Sequence, residues 1–313
     1  IYPLSLHDAL PILRLVTHRT SAGKRPGAVV RTGHTDRLID LGHVAESVLT
    51  LIADDELLRT ARAHCASAVQ EDLPPLAFGD LEAPIVPGKM LCLGYNYRGH
   101  APDGVDPTAD DPEYPDVFVK TPNTFGGPND AVVVPEGASD VDYEGELAVV
   151  IGTRARNVPI EDAMSHVAGF TILNDVSDRA WQRRQSQWAL GKCSDGFAPI
   201  GPWIVTTDEA PNPQDVLVEV VRDGEGTVSQ STSTTIFSVA FVLSHISQVM
   251  TLEPGDIIST GTPQKLAQAQ ASHRPLQPGD AVTVRISGLG ELTTTFIATP
   301  ERPATESLPE GTA

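Results

Sequence analysis

The chain has 313 residues, enough for one large domain or two and for a sizeable core. Its 22 Lys and Arg face 41 Asp and Glu, a net charge of −19 that excludes the basic surfaces nucleic acids and anionic membranes require. The 3 cysteines, Cys65, Cys92 and Cys193, form no CxxC, which excludes a disulfide scaffold or zinc knuckle and fits a reducing, cytoplasmic setting, and no apolar run approaches the roughly 20 residues of a membrane helix.

In chain order, residues 1–12 lack a basic segment and a small-residue cleavage site, so they do not read as a signal peptide. Residues 4–12 resemble the conceptual translation of a sequencing-adapter oligonucleotide, and 1–12 are taken as an artefactual or disordered leader. Short strands are expected over 14–17 and 28–31, and helices over 44–52 and 56–69 with Asp54 or Asp55 as N-cap. These make a small α+β domain over 13–86, with a boundary in the Pro-rich 84–87 stretch. A catalytic domain over 87–299 follows, with strands expected over 90–93, 117–120, 131–134, 147–151, 170–173, 200–206 and 217–222. A short helix is expected over 159–167, and the apolar spacing of Ile236, Val239, Ala240, Leu243, Ile246 and Met250 predicts a helix over 236–250. The turn Pro-Gly-Asp occurs twice, at 254–256 and 278–280, each time leading into a strand (257–260 and 281–286). The polar segment 98–114 reads as a mobile loop, and 300–313 as a disordered tail. The fold class is α+β and β-rich, without the regular alternation of a doubly wound sheet.

The strongest chemical signal is Asp142-Tyr143-Glu144-Gly145-Glu146-Leu147, running into an apolar strand. In a strand Glu144 and Glu146 share a face, where their charges call for a nearby cation or a raised pKa. A solvated strand end is the competing reading. Asp175, at the end of the apolar run 170–173, adds a third acid. Three carboxylates without His or Cys suit a hard cation, Mg²⁺ or Mn²⁺. Arg179 and Gln182 lie one and two turns beyond Asp175 if that segment is helical, and Lys192 follows; these groups suit an anionic substrate, although Arg179 or Lys192 alone would read as surface charge.

Taken in order, Gly94-Tyr95-Asn96-Tyr97-Arg98-Gly99-His100, Tyr143-Glu144-Gly145-Glu146-Leu147, Asn174-Asp175-Val176-Ser177-Asp178-Arg179 with Gln182, Gly191-Lys192 with Asp195, and Pro254-Gly255-Asp256 with Thr260-Gly261-Thr262-Pro263 resemble the fumarylacetoacetate hydrolase superfamily over roughly 89–296. The resemblance implies a mixed β-roll catalytic domain and a homodimer. It implies Glu144, Glu146 and Asp175 as metal ligands, with Arg179 on the 2-oxo-carboxylate end of a substrate. Lys192 and Gln182 would contact the substrate and stabilise an enolate, and Thr262 would add a hydroxyl or backbone contact. His100 would be a general base on a closing loop. A Glu often stands three residues after that His in the family; here it is Asp103, one methylene shorter and preceded by Pro102.

The resemblance implies a metal-dependent hydrolase of a 2,4-dioxo acid of the acylpyruvate or fumarylpyruvate type. Isomerisation of 2-hydroxyhepta-2,4-diene-1,7-dioate or decarboxylation of an oxaloacetate-like acid shares the same enolate chemistry, and a non-catalytic 2-oxo-acid binding protein is a second alternative. The remaining histidines show no ligand spacing, Cys193 reads as a small pocket-wall residue, and Trp181, Trp188 and Trp203 read as core.

Overall fold

Alternation along one strand organises the molecule. In Gly145–Ile151 every residue is buried. Leu147, Val149 and Ile151 enter one apolar core, and Ala148 and Val150 enter another. A strand covered on both faces reads as a continuous apolar run, as this one does. The computed structural model describes residues 13–68, 72–100, 111–184 and 186–300. The leader, most of the 98–114 loop with Asp103, and the tail from 301 lie outside the described residues.

Gly145–Ile151 is central to a large sheet. Its spatial order is Thr35–Asp40, Gly23–Thr32, Arg14–Thr20, Ala198–Thr206, Val167–Asn174, Gly145–Ile151, Ile257–Ser259, Met90–Gly94 and Asp116–Lys120. Neighbours run antiparallel except Ile257–Ser259 beside Met90–Gly94. Helices Val48–Ile52 and Asp55–Ser67 supply Val48, Leu51, Ile52, Ala61 and Cys65 to the core on the Ala148 side. On the Leu147 side packs a second sheet, Glu225–Ser231, Leu217–Arg222, Ala281–Ile286, Gly290–Ala298 and Val132–Val134. The result is α+β and strand-rich. No described helix is long and apolar enough to cross a membrane.

Strands on both sides of the boundary expected near 84–87 share the large sheet, because Arg14 and Leu15 pair with Val205 and Ile204. Ser47 and Asp54 cap the first two helices through their side chains, so the first begins at Val48 rather than at 44. The segment 159–167 is turns and a single 3₁₀ turn, Ala163–His166, before Val167–Asn174 begins; it is too short for the expected helix. The later helix is Val239–Val249, with Ser238 capping it, and the Ile236 and Phe237 amides bond to Asn96 instead.

The repeated Pro-Gly-Asp turn has one physical cause. Gly255 and Gly279 hold φ of 85° and 99°, conformations glycine adopts without a Cβ penalty. Asp256 and Asp280 donate their amides to the carbonyls of Glu253 and Gln277, 3.0 Å each, closing the turns. Each carboxylate then accepts the amide of that same residue, at 2.6 and 2.8 Å.

Candidate active site

Register brings the acids together. Gly145 pairs with Asn174 and Glu146 with Leu173, so Glu144 and Asp175 are cross-strand neighbours just beyond the ladder. The Asp175 amide donates to the Glu144 carbonyl at 2.8 Å. Glu146 lies two residues along from Glu144 on the same face, as the period-2 pattern predicts. Ligand oxygens of Glu144, Glu146 and Asp175 lie within 4.8 Å of one another, and all three residues are buried.

Lys192 and Arg179 reach this cluster from two one-turn helices, Ala189–Lys192 and Arg179–Gln182. Gly191 permits their approach, since a Cβ there would stand 2.5 Å from the Gln182 amide nitrogen. The Lys192 ammonium donates to Glu144 at 2.7 Å and to Asp175 at 2.8 Å. Arg179 contacts Glu144 at 2.5 Å and Asp142 at 3.1 Å, and it donates to Gln182 at 3.0 Å. Lys120 pairs with the other oxygen of Asp175 with both side chains fully buried, and Lys265 pairs with Asp142. The charges thus form one alternating chain: Lys120, Asp175, Lys192, Glu144, Arg179, Asp142, Lys265.

Glu146 stands off that chain. Its Oε2 accepts from the Ser259 hydroxyl and, at 3.1 Å, from the Gly261 amide. Burial, then the charges of Asp175 and Glu144, push its carboxyl well above the usual range. Glu144 differs: burial acts to raise it, but Arg179 and Lys192 outweigh burial and hold it well below. For Lys192, burial acts to lower the ammonium pKa, and Asp175 and Glu144 reverse this and raise it. Three converging carboxylates, one in no ion pair among the described residues, are a fitting donor set for a hard divalent cation.

His100 sits at the end of the turn 94–100. Asn96 pins that turn by donating to the Thr260 carbonyl at 2.9 Å and accepting from the Phe237 amide at 2.8 Å. Tyr95 adopts φ of 50°, a left-handed conformation unusual for a bulky residue, and packs edge-on against His100 and Trp188. The Nδ1 of His100 lies 2.9 Å from the Thr262 carbonyl oxygen. A carbonyl only accepts, so Nδ1 is the donor, and in the tautomer with a single ring proton Nε2 is the acceptor. The Thr262 hydroxyl is used to donate to the Gly145 carbonyl at 3.1 Å.

A cavity of about 210 Å³ opens on Glu144, Arg179, Gln182, Lys192, Thr262 and His100. Its apolar wall is Tyr95, Phe118 and Trp188. Glu146 and Asp175 are fully buried behind Glu144. Every expected site residue within the described residues is therefore gathered here. Trp188 is a cavity wall and Trp181 is exposed, while only Trp203 is core. Cys193 is half-buried off the cavity, its thiol against the Val119 carbonyl. No role follows from the sequence for Lys120, Ser259 or Lys265, nor for Asp142, although it opens the acidic motif. Asp142 carried a signal, sharing the parity of Glu144 and Glu146; Lys120 ended an expected strand as its one cation.

Comparison with known proteins places this geometry. The family model described as fumarylacetoacetate (FAA) hydrolase, C-terminal, matches residues 89–297. A fumarylacetoacetate hydrolase domain-containing protein 2 homolog of Dictyostelium discoideum is 36% identical over 302 residues, covering 90% of this chain and 96% of that protein. Among solved structures, a fumarylacetoacetate hydrolase from Exiguobacterium antarcticum aligns with TM-score 0.76 and 32% identity over 92% of this chain and 100% of that one. A 2-hydroxyhepta-2,4-diene-1,7-dioate isomerase from Mycobacterium marinum aligns with TM-score 0.70 and 30% identity over the same shares, 92% and 100%.

Proposed function

The chain belongs to the fumarylacetoacetate hydrolase family, and from that premise we propose that it hydrolyses a C–C bond in a 2,4-dioxo acid of the acylpyruvate or fumarylpyruvate type. The observation that carries this reading is His100, whose Nδ1 is committed to the Thr262 carbonyl while its ring borders the cavity that exposes Glu144, Arg179 and Lys192. Glu144, Glu146 and Asp175 would hold Mg²⁺ or Mn²⁺. A divalent cation supplies Lewis-acid polarisation of the 2-oxo and carboxylate oxygens.

The chain's own groups do the rest. Arg179 and Gln182 bind and orient the carboxylate end. His100 Nε2 takes a proton from water as its oxygen bonds to the C4 carbonyl carbon. The C3–C4 bond then breaks, and its electron pair passes into the enolate of pyruvate. Lys192 donates to that developing oxyanion. The proton held by His100 returns to C3, giving pyruvate and the free acid. Tyr95, Phe118 and Trp188 restrict bulk water on the acyl side.

Isomerisation of a 2-hydroxy-dienoate is the second reading. It uses the same enolate-stabilising groups and no water, and the name of the Mycobacterium marinum neighbour favours it. Acetylpyruvate turnover with Mg²⁺ and with EDTA separates the two. Hydrolysis releases equimolar pyruvate and acetate in the Mg²⁺ arm. Release of no pyruvate from a panel of acylpyruvates, with double-bond migration in the dienoate, would establish isomerisation instead.

A further inference from the structure

We infer that a cavity in the N-terminal part of the chain, on the strands Arg14–Thr20 and Thr35–Asp40 and the end of helix Asp55–Ser67, binds a small amine with an apolar body, an alkyl- or arylalkylammonium ion. The cavity has about 510 Å³ and shares no lining residue with the candidate active site.

Its anchor is His18. The residue pairs with Arg25 on one side and Leu81 on the other, and only 5% of it is exposed. Gly27 makes room for the ring, since a Cβ there would stand 3.1 Å from His18 Cδ2 and 2.9 Å from Leu38 Cδ1. The buried Nε2 of His18 has no hydrogen-bond partner. It faces the cavity wall formed by Asp40, whose Oδ2 is 3.6 Å away, too far for a direct hydrogen bond. A buried polar nitrogen left so is a standing cost to the fold, and a ligand donor placed between the two groups removes it.

The remaining lining selects the donor. Among the described residues that form the cavity are two carboxylates, Asp40 and Asp72, two imidazoles, His18 and His64, and no lysine or arginine. Arg25 approaches Asp40 from outside, at 3.5 Å. Burial holds the His18 imidazole below its ordinary pKa although Asp40 acts to raise it, so at neutral pH the ring is uncharged and has a nitrogen lone pair to offer. Leu38, Leu73 and Pro74 supply apolar wall. An apolar cavity with a few placed polar groups is the usual form of a small-molecule site. A carboxylate ligand would be repelled by Asp40 and Asp72. An alcohol would satisfy Nε2 and leave the carboxylates without a cation. An ammonium group donates to Nε2 and to Asp40 Oδ2 at once, the second as a charge-assisted bond, while its carbon body covers the apolar wall. The net charge of −19 draws such a cation in at long range.

The test is calorimetric titration of the full chain at neutral pH with three probes that share a phenylethyl body: 2-phenylethylamine, 2-phenylethanol and 3-phenylpropionate. The native chain should bind the amine at least about tenfold more tightly than the alcohol, the scale of one charge-assisted hydrogen bond, and should bind the acid most weakly. Asp40→Asn, which keeps an oxygen for the Gly42 amide, should bring the amine down to the affinity of the alcohol. His18→Phe fills the same space without the nitrogen and should weaken both. Circular dichroism checks that the variants fold, and if His18→Phe does not, Asp40→Asn at its half-exposed position decides alone. No binding of the amine, equal binding of amine and alcohol, or an amine affinity unchanged in Asp40→Asn or in folded His18→Phe overturns the inference.

Discussion

Glu146→Gln tests the acid cluster where its energetics are most one-sided. Two unit charges 4.8 Å apart repel by about 3–4 kcal/mol at an effective dielectric constant of about 20. Glu146 has two such neighbours, Glu144 and Asp175, and forms no ion pair among the described residues. Lys192 and the donors Ser259 and Gly261 offset part of that cost. Glutamine keeps the shape: its carbonyl accepts from Ser259 and Gly261, and its amide donates towards the two carboxylates. In EDTA the variant should therefore unfold at higher urea than the native chain, by about 1–3 kcal/mol. Whether the native chain meets the cost as repulsion or by taking up a proton, the variant escapes it. With Mg²⁺ at a hundred times its Kd the native chain gains about 2.7 kcal/mol, and the variant should gain well under half of that. The order of stabilities then narrows or inverts between EDTA and Mg²⁺, read by tryptophan fluorescence in urea. A variant that is less stable in EDTA, or that keeps the full Mg²⁺ gain, refutes the assignment of Glu146 as an uncompensated ligand.

His100→Ala should lower kcat for acylpyruvate hydrolysis by about 10²–10⁴-fold with Mg²⁺ affinity intact, and Asp103→Glu should leave kcat equal or raise it; steady-state kinetics beside calorimetry check both. Lys120→Met should destabilise the fold by about 3–5 kcal/mol in urea, because it leaves Asp175 buried with one cation fewer. Asp280 is held below the usual carboxylate range: burial opposes this, but hydrogen bonds from Arg274, the Gln277 amide and Arg222 prevail. Its stabilising contribution is therefore present above the unfolded carboxylate pKa and lost as pH falls through the folded value, so Asp280→Asn should destabilise near neutral pH and be almost silent in strong acid, as urea titrations at the two pH values will show.

What the sequence made legible followed period and punctuation. The parity of Glu144 and Glu146, the apolar run ending at Asp175 and the Pro-Gly-Asp turns are local patterns, and each kept its place in the fold. The 159–167 segment misled because Pro159 and the acids after it mimic a helix start, whereas the strand Val167–Asn174 claims the residues that would have continued it. Strands Glu225–Ser231 and Gly290–Ala298 place few apolar residues in the core, Val228 from one and Leu292 and Phe296 from the other, and they are fixed by ladders with Leu217–Arg222 and Ala281–Ile286. The roles of Lys120 and Lys265 do not follow from local sequence for a different reason. Their partners, Asp175 and Asp142, lie 55 and 123 residues away in the chain, and only the packing of separate strand ends makes them neighbours.

That long-range origin bears on how the site works. Asp175, Glu144 and Asp142 each touch two cations, and Lys192 and Arg179 each touch two carboxylates. Removing any inner member strands a buried charge, so the set holds its geometry before substrate arrives; such preorganised charge avoids reorganisation during reaction. Lys192 spends its donors on Glu144 and Asp175, two of the residues suited to a cation. On the proposed function, a cation held by those oxygens would release the Lys192 donors for a substrate oxygen. On the proposed function the same lysine would hold the acid cluster together and stabilise the enolate; within the acid cluster burial acts to lower its pKa, and Asp175 and Glu144 reverse this and raise it.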